Sequence, residues 1–340
     1  MTGPQLAAAS NVLVYSAILV YTFALITFAV DLGRARQCAP AEPLAPASTA
    51  AEGSSEAGAL RSSLVCPVSV VSRVSPVGVG ILGRGLARAA GVARSLTWLA
   101  FVLHTAGVAA RAAATGRPPW GNMYEFAVSG ASVVTAAYLG TSWLGERRYL
   151  GAFVVGPVVL TLGLAVTVLY TEAGQLVPAL RSFWLAIHVS VAFVAAALFT
   201  LGFSASVLQL LQDSSAAKTR RDGSEEARAR FLQHLPDAQA LEHTAYQFNA
   251  VAFPLWTFAL MSGAIWAEAA WGRYWGWDPK EVWSFIIWVL YAAYLHARVT
   301  RGWTGRKAAY LSLAGYTAVL VNFGIVNVFV VGLHSYAGVS

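Results

Sequence analysis

The sequence predicts an all-α fold: a polytopic membrane bundle of about eight transmembrane helices, with both termini and a tryptophan-rich loop on the outer side. Three observations carry this reading. The 340-residue chain is 57% hydrophobic and only 11% charged, against about 25% charge in soluble domains. Its apolar residues gather into runs near the ~20 residues that a bilayer core requires, at 11–30, 95–112, 123–143, 150–170, 182–210, 247–267, 283–299 and 308–333. The connections 31–94, 144–149, 211–246 and 298–307 hold 18 of the 23 Lys and Arg residues, and the positive-inside rule places these connections in the cytoplasm. The net charge of +7 therefore reads as topology, and no nucleic-acid partner is expected.

Each segment has its own reading. Residues 1–32 form a first transmembrane span, expected to stay as a membrane helix because no basic stretch precedes its long apolar run. Residues 33–94 form a cytoplasmic insert, partly disordered, whose 39–63 portion is rich in Ala, Pro and Ser. Arg84, Arg88 and Arg94 then recur among small apolar residues, which suits either a short basic helix on an anionic leaflet or an extension of the second span. Residues 95–340 form the main domain, with a charged inner loop at 211–246. Cys38 and Cys66 make no CxxC and are expected to be incidental thiols.

The densest signal is WAEAAWGRYWGWDPKEVWSFIIW, residues 266–288, which contains six of the 12 tryptophans. Two glycines and a proline at its centre interrupt the helix. An interfacial aromatic belt explains isolated tryptophans. Trp271, Trp275 and Trp277 with interleaved glycines, followed by Asp278, instead suggest a flat surface for a flat ligand. Arg273 and Lys280 are either solvated loop charges or partners for acidic groups of that ligand.

Six histidines sort by depth. His188 lies about two turns into the fifth span from its outer end, and His334 lies where the last span emerges on that side. His296 is 13 residues past Trp283, roughly 20 Å deeper along a helix. His104 sits mid-span and reads first as a hydrogen-bonded bundle residue, while His234 and His243 read as solvated loop residues. Intramembrane ionisable groups are costly and invite a functional reading. Two neutral imidazoles beside an aromatic loop have the chemistry to ligate an iron from both sides of a macrocycle, as haem requires. Elsewhere, RPPWGNMYEF stops one helix at Pro118-Pro119 and starts another, with Glu125 favourable to the helix dipole. Asn322 and Asn327, five apart in the last span, are amides of the kind that bond neighbouring membrane helices.

With these residues in place, the chain resembles the CcsA/ResC family of haem-handling membrane proteins in the cytochrome c assembly superfamily. The resemblance rests on WGRYWGWDPKE, the histidine before it, the histidine ending the next span, GLHSY near the C-terminus, and RPPWGNMYEF. It covers residues 95–338 apart from the inner loop. It implies haem delivery across the membrane and covalent attachment to apocytochrome c CxxCH motifs, as a subunit of a cytochrome c synthetase with a CcsB/ResB-type membrane partner. It further implies haem, as haem b, for the ligand, with His188 and His334 as outer axial ligands of the iron. Trp271, Trp275, Trp277 and Asp278 would belong to the haem-facing loop, and His296 would ligate a second, intramembrane haem with the partner subunit. Thiol-reducing factors are expected from elsewhere, since the chain has no CxxC. The alternatives are a b-type membrane cytochrome passing electrons, and a haem exporter without ligation activity.

Overall fold

The computed structural model describes residues 2–34, 77–141, 143, 147–174, 182–222, 232 and 235–334. Cys38, Cys66, the 39–63 segment and His234 lie outside the described residues. Within them the chain is a bundle of long helices without strands: α1 (Gly3–Arg34), α2 (Val77–Thr115), α3 (Met123–Thr141), α4 (Gly151–Thr167), α5 (Phe183–Asp222), α6 (Ala238–Trp271), α7 (Pro279–Arg301) and α8 (Arg306–Leu320). A π-helical turn, Val321–Val326, and a last turn, Asn327–Phe329, extend α8. Seven of these segments are long and apolar enough to cross a membrane, and the chain is a multi-pass membrane protein. The helix outside that set is α3, whose 19 residues include the buried polar groups Glu125, Ser129, Ser132 and Thr135.

Side-chain contacts show that the helices alternate in direction. Ser10 bonds the Gly107 carbonyl at 2.7 Å, Arg111 bonds Glu125, and Asn11 bonds the Tyr170 hydroxyl at 2.9 Å. These place the start of α1, the α2–α3 link and the end of α4 together. His188 near the start of α5 bonds the Ala259 carbonyl late in α6, and Lys280 at the start of α7 bonds Asn327 after α8. At the opposite end, Glu242 of α6 accepts from Arg298 of α7 and from Gly305 N, 2.8 Å away, before α8.

Of the two readings for the stretch before the second span, the structure has the extension: residues 77–94 continue into α2 as one helix, because no proline interrupts them. Two other elements differ from the sequence expectation. The inner loop is shorter than 211–246: α5 runs to Asp222 without a Gly or Pro after Gly202 to stop it, and Asp237 caps α6 by accepting from Ala240 N at 2.7 Å. The last span is not a continuous α-helix, since it opens into the π turn at Val321.

The core has two halves joined by α5. Leu201, Ala205 and Leu208 face a cluster built from α1–α4 and the start of α6, while Ala195 and Phe199 face the rest of α6 with α7 and α8, Phe199 being stacked on Tyr291 at 3.6 Å between centroids. Lipid tails give apolar helices no reason to prefer one another, so small residues and buried hydrogen bonds specify the pairing. Such bonds run from Ser206 and Asn249 to Ser312, each 3.0 Å. At the α2–α3 turn, Glu125 is buried between Arg111 Nε at 3.1 Å and Arg117 Nη1 at 2.7 Å, and its Oε2 accepts from Gly121 N at 2.9 Å. Glu125→Gln is expected to cost about 3 kcal/mol, the range for removing one partner of a buried ion pair. Thermal denaturation of the detergent-solubilised protein checks this; an unchanged midpoint would contradict it.

Candidate functional site

The α2–α3 connection, the outer parts of α5 and α6, the start of α7 and the chain after α8 line one cavity of about 260 Å³. Its wall includes Trp120, Phe126, His188, Trp266, Lys280, Asn322 and His334. Apart from a few polar groups, the lining is aliphatic and aromatic, as ligand cavities in helix bundles usually are.

His188 is held by α6. Its Nδ1 lies 2.7 Å from the Ala259 carbonyl oxygen. A carbonyl only accepts, so Nδ1 carries the proton and Nε2 keeps the lone pair. The ring stacks on Trp266 at 6.2 Å with planes 10° apart. Gly263 permits this approach, because a Cβ there would lie 2.8 Å from both Cε1 and Nδ1 of the imidazole.

His334 is held from the other side by the DPKE turn. Asp278 caps α7: its carboxylate accepts from Lys280 N at 3.2 Å, from Leu333 N at 2.6 Å and from His334 Nδ1 at 2.8 Å. Pro279 occupies the first helical position, and Glu281 returns the capping box by accepting from Gly276 N at 2.8 Å and Asp278 N at 3.1 Å. Gly332 lets the C-terminal segment pass, since a Cβ there would meet Asp278 Oδ1 at 2.6 Å. A carboxylate likewise only accepts, so His334 also carries its proton on Nδ1 and presents a bare Nε2. Its ring contacts Trp271 at 4.8 Å and Trp266 at 5.4 Å, both edge-on. Trp266 therefore touches both imidazoles.

The electrostatics keep the His334 imidazole neutral. Burial lowers the His334 pKa below its ordinary 6.5, and the Asp278 carboxylate only partly opposes that shift. Burial alone would raise Asp278, but the bonds from Leu333 N and His334 hold it below 3.8. At neutral pH the site contains a neutral imidazole oriented by a carboxylate, the arrangement that fixes the tautomer of metal-binding histidines.

The other sequence-selected residues fall elsewhere. Trp275 and Trp277 pack on each other at 5.8 Å, with Phe285 beyond Trp275, and neither lines the cavity. Trp277 is 73% exposed with φ of 58°, a conformation uncommon outside glycine. His296 is exposed on α7 near the end opposite the cavity, on the same stripe as Phe285 and Val289. His104 is wholly buried, with Nε2 2.9 Å from the Val128 carbonyl and Nδ1 3.5 Å from the Tyr21 hydroxyl. Both of its nitrogens are occupied, as expected of a bundle residue. Arg273 lies exposed over Gly276, whereas Lys280 turns into the cavity.

Sequence reasoning did not assign Trp120 and Trp266 to the site. Trp120 is set by the turn after Pro118-Pro119, where Asn122 Oδ1 accepts from Glu125 N at 2.9 Å and Ser129 Oγ bonds the Pro119 carbonyl at 2.7 Å. The N-x-x-E capping pattern was the available signal for that turn.

Fold and site thus define a membrane helix bundle that offers two oriented imidazoles to one aromatic cavity. Residues 120–334 match the model of the cytochrome c assembly protein family, and the chain belongs to that family. The cytochrome c biogenesis protein CcsA of Prochlorococcus marinus (strain MIT 9312) is 36% identical over 267 residues, covering 72% of this chain and 84% of that protein. The CcsA of Synechocystis sp. (strain ATCC 27184 / PCC 6803 / Kazusa) is 33% identical over 280 residues, covering 68% and 84%. Among solved structures, the cytochrome c heme lyase CcmF shares the fold, with a TM-score of 0.56 at 18% identity over 95% of this chain and 47% of that one. The protein is a membrane component of cytochrome c biogenesis.

Asp278→Asn removes the charge that raises His334, so the His334 pKa should fall further below 6.5. A base whose folded pKa lies below its unfolded one loses stability as pH falls through the unfolded value, and the variant should widen that acid window. Titration of the labelled His334 imidazole by NMR checks the direction; an upward shift would contradict it.

Proposed function

We propose that this protein receives haem in the membrane and presents it on the outer face, held between His188 and His334, for covalent attachment to apocytochrome c. The observation that carries the reading is the pair of imidazoles in one aromatic cavity, each with Nδ1 engaged and Nε2 bare. A neutral histidine ligates iron through such a lone pair, and membership of the cytochrome c assembly family supplies the context.

On this reading haem is the substrate, and the protein's work is positioning. The two thiols of an apocytochrome CxxCH motif add across the haem vinyl groups. Sulfur bonds to one vinyl carbon, the thiol proton ends on the other, and no net electron is gained or lost. The chain need not itself provide an acid or base, because holding two reactants in register removes much of the entropic barrier. The CxxCH histidine must take one axial position as the product forms. His334 is the more exchangeable candidate, since it stands on the chain that leaves α8 whereas His188 is seated within α5. Trp271 contacts His334, and the exposed Trp277 is placed to meet the incoming polypeptide.

His296 fits a second position. An imidazole on an exposed stripe of a membrane helix needs a polar partner. A CcsB/ResB-type subunit packed against α7 would supply the opposite ligand of an intramembrane haem that feeds the outer site. Thiol-reducing factors would keep the CxxCH cysteines reduced. The b-type cytochrome alternative needs paired ligands within the membrane, and His104 has no nitrogen left for iron.

Two experiments test the reading. His188→Gly and His334→Gly should each lose bound haem, and millimolar imidazole should restore it; an unchanged haem absorption spectrum in both variants would sink axial ligation. Holocytochrome formation in a strain without native assembly factors should require both histidines, whereas haem outside without covalent product identifies an exporter. The orientation is tested with single cysteines in a chain whose Cys38 and Cys66 are replaced by Ser. A thiol at Trp277 should react with a membrane-impermeant reagent in intact cells, and one at Arg301 should not.

A further inference from the structure

We infer that Lys280, with Asn322, Asn327 and Ser284, forms a carboxylate-binding subsite in the cavity wall, and that on the haem reading above it anchors a propionate and so sets the rotation of the macrocycle in its plane. Lys280 Nζ donates to Asn327 Oδ1 at 2.8 Å and to the Asn322 carbonyl at 3.3 Å, while the Phe126 ring covers one side at 5.9 Å. Two neutral acceptors leave one ammonium hydrogen free. Among the described residues no carboxylate lies within ion-pair distance of Nζ. The part-buried Lys280 ammonium is attracted by Asp278 only from beyond ion-pair distance, and it borders the cavity, where a ligand's anion would give it a direct partner.

A second, independent observation points to the same place. Asn322 is 4% exposed, and its Oδ1 is buried with no hydrogen-bond partner, although its Nδ2 donates to Ser284 Oγ at 3.1 Å. Orphaned buried amide oxygens are rare and call for a donor. A bridging water donates to this oxygen and to the ligand's carboxylate, and the Ser284 hydroxyl has its own proton to give.

The π turn explains how these groups meet. Residues five apart on an α-helix point about 140° away from each other, so Asn322 and Asn327 would face different neighbours. The i→i+5 pairing of a π turn stacks such residues, and π turns concentrate at functional sites. Here the turn at Val321–Val326 brings the Asn322 carbonyl and the Asn327 amide onto one ammonium group.

The test compares ferrous protoporphyrin IX with its dimethyl ester, titrated into the purified full-length protein and followed by absorption. The wild type should bind the free acid at least about tenfold more tightly, the worth of one charge-assisted hydrogen bond. Lys280→Met should bind both forms equally. Asn327→Asp, which retains the lysine but supplies an internal counter-ion, should abolish or reverse the preference and serves if the first variant does not fold. A preference for the free acid that survives in both variants overturns the subsite. So does a wild type that binds acid and ester alike with a spectrum dependent on His188 and His334, and in that case the two-histidine reading stands. Failure of the wild type to bind either porphyrin removes the haem reading and this one with it.

Discussion

The site depends on one carboxylate. Asp278 ends the tryptophan loop, starts α7, receives the backbone of the chain after α8 at Leu333, and orients the His334 imidazole. A side chain with two oxygens and about four acceptor positions can join three elements at once only where water does not compete. Removing it would uncap α7, free the C-terminal segment and release the tautomer of His334 together. Glu281 holds the loop from its other end through Gly276 and Asp278. The loop is therefore an ordered turn closed by a reciprocal cap, and its tryptophans are aimed by hydrogen bonds made below them.

The bundle uses polar groups sparingly and at its ends. Glu125 with Arg111 and Arg117 fixes the turn that carries Trp120, and Glu242 with Arg298 and Gly305 closes the opposite end. Between them α5 is packed on both sides, which gives His188 a rigid support. Gly263 and Gly332 contribute by lacking a side chain, one beneath the His188 ring and the other beside the Asp278 carboxylate. The His188 imidazole thus has a rigid support within α5, and the His334 imidazole a capped but terminal one.

Much of the site could be read before the structure. His188 and His334 stood out because imidazoles are rare in apolar runs and because depth counting put both on the side of the tryptophan loop. The role of Asp278 was not legible: a residue in an aromatic motif reads as facing the ligand, whereas its bonds run to the backbone and to His334. Trp275 and Trp277 were as prominent as Trp271, yet only the fold separates the tryptophan that contacts His334 from the two that pack outside. Trp266 was passed over because it looked like the end of a span, and helix packing alone brings it against both imidazoles.

The sequence by itself determined the membrane class, the approximate places of the spans and the family, because hydropathy, charge asymmetry and an ordered motif are properties of the chain. The tertiary structure decided which nitrogens are bare. That depends on the Ala259 carbonyl, the Asp278 carboxylate and the Val128 carbonyl, each distant in sequence from the histidine it engages. It also decided that Lys280 faces inward and Arg273 outward, and that the last span opens into a π turn. Those outcomes follow from close packing of neighbouring helices, which no single helix records.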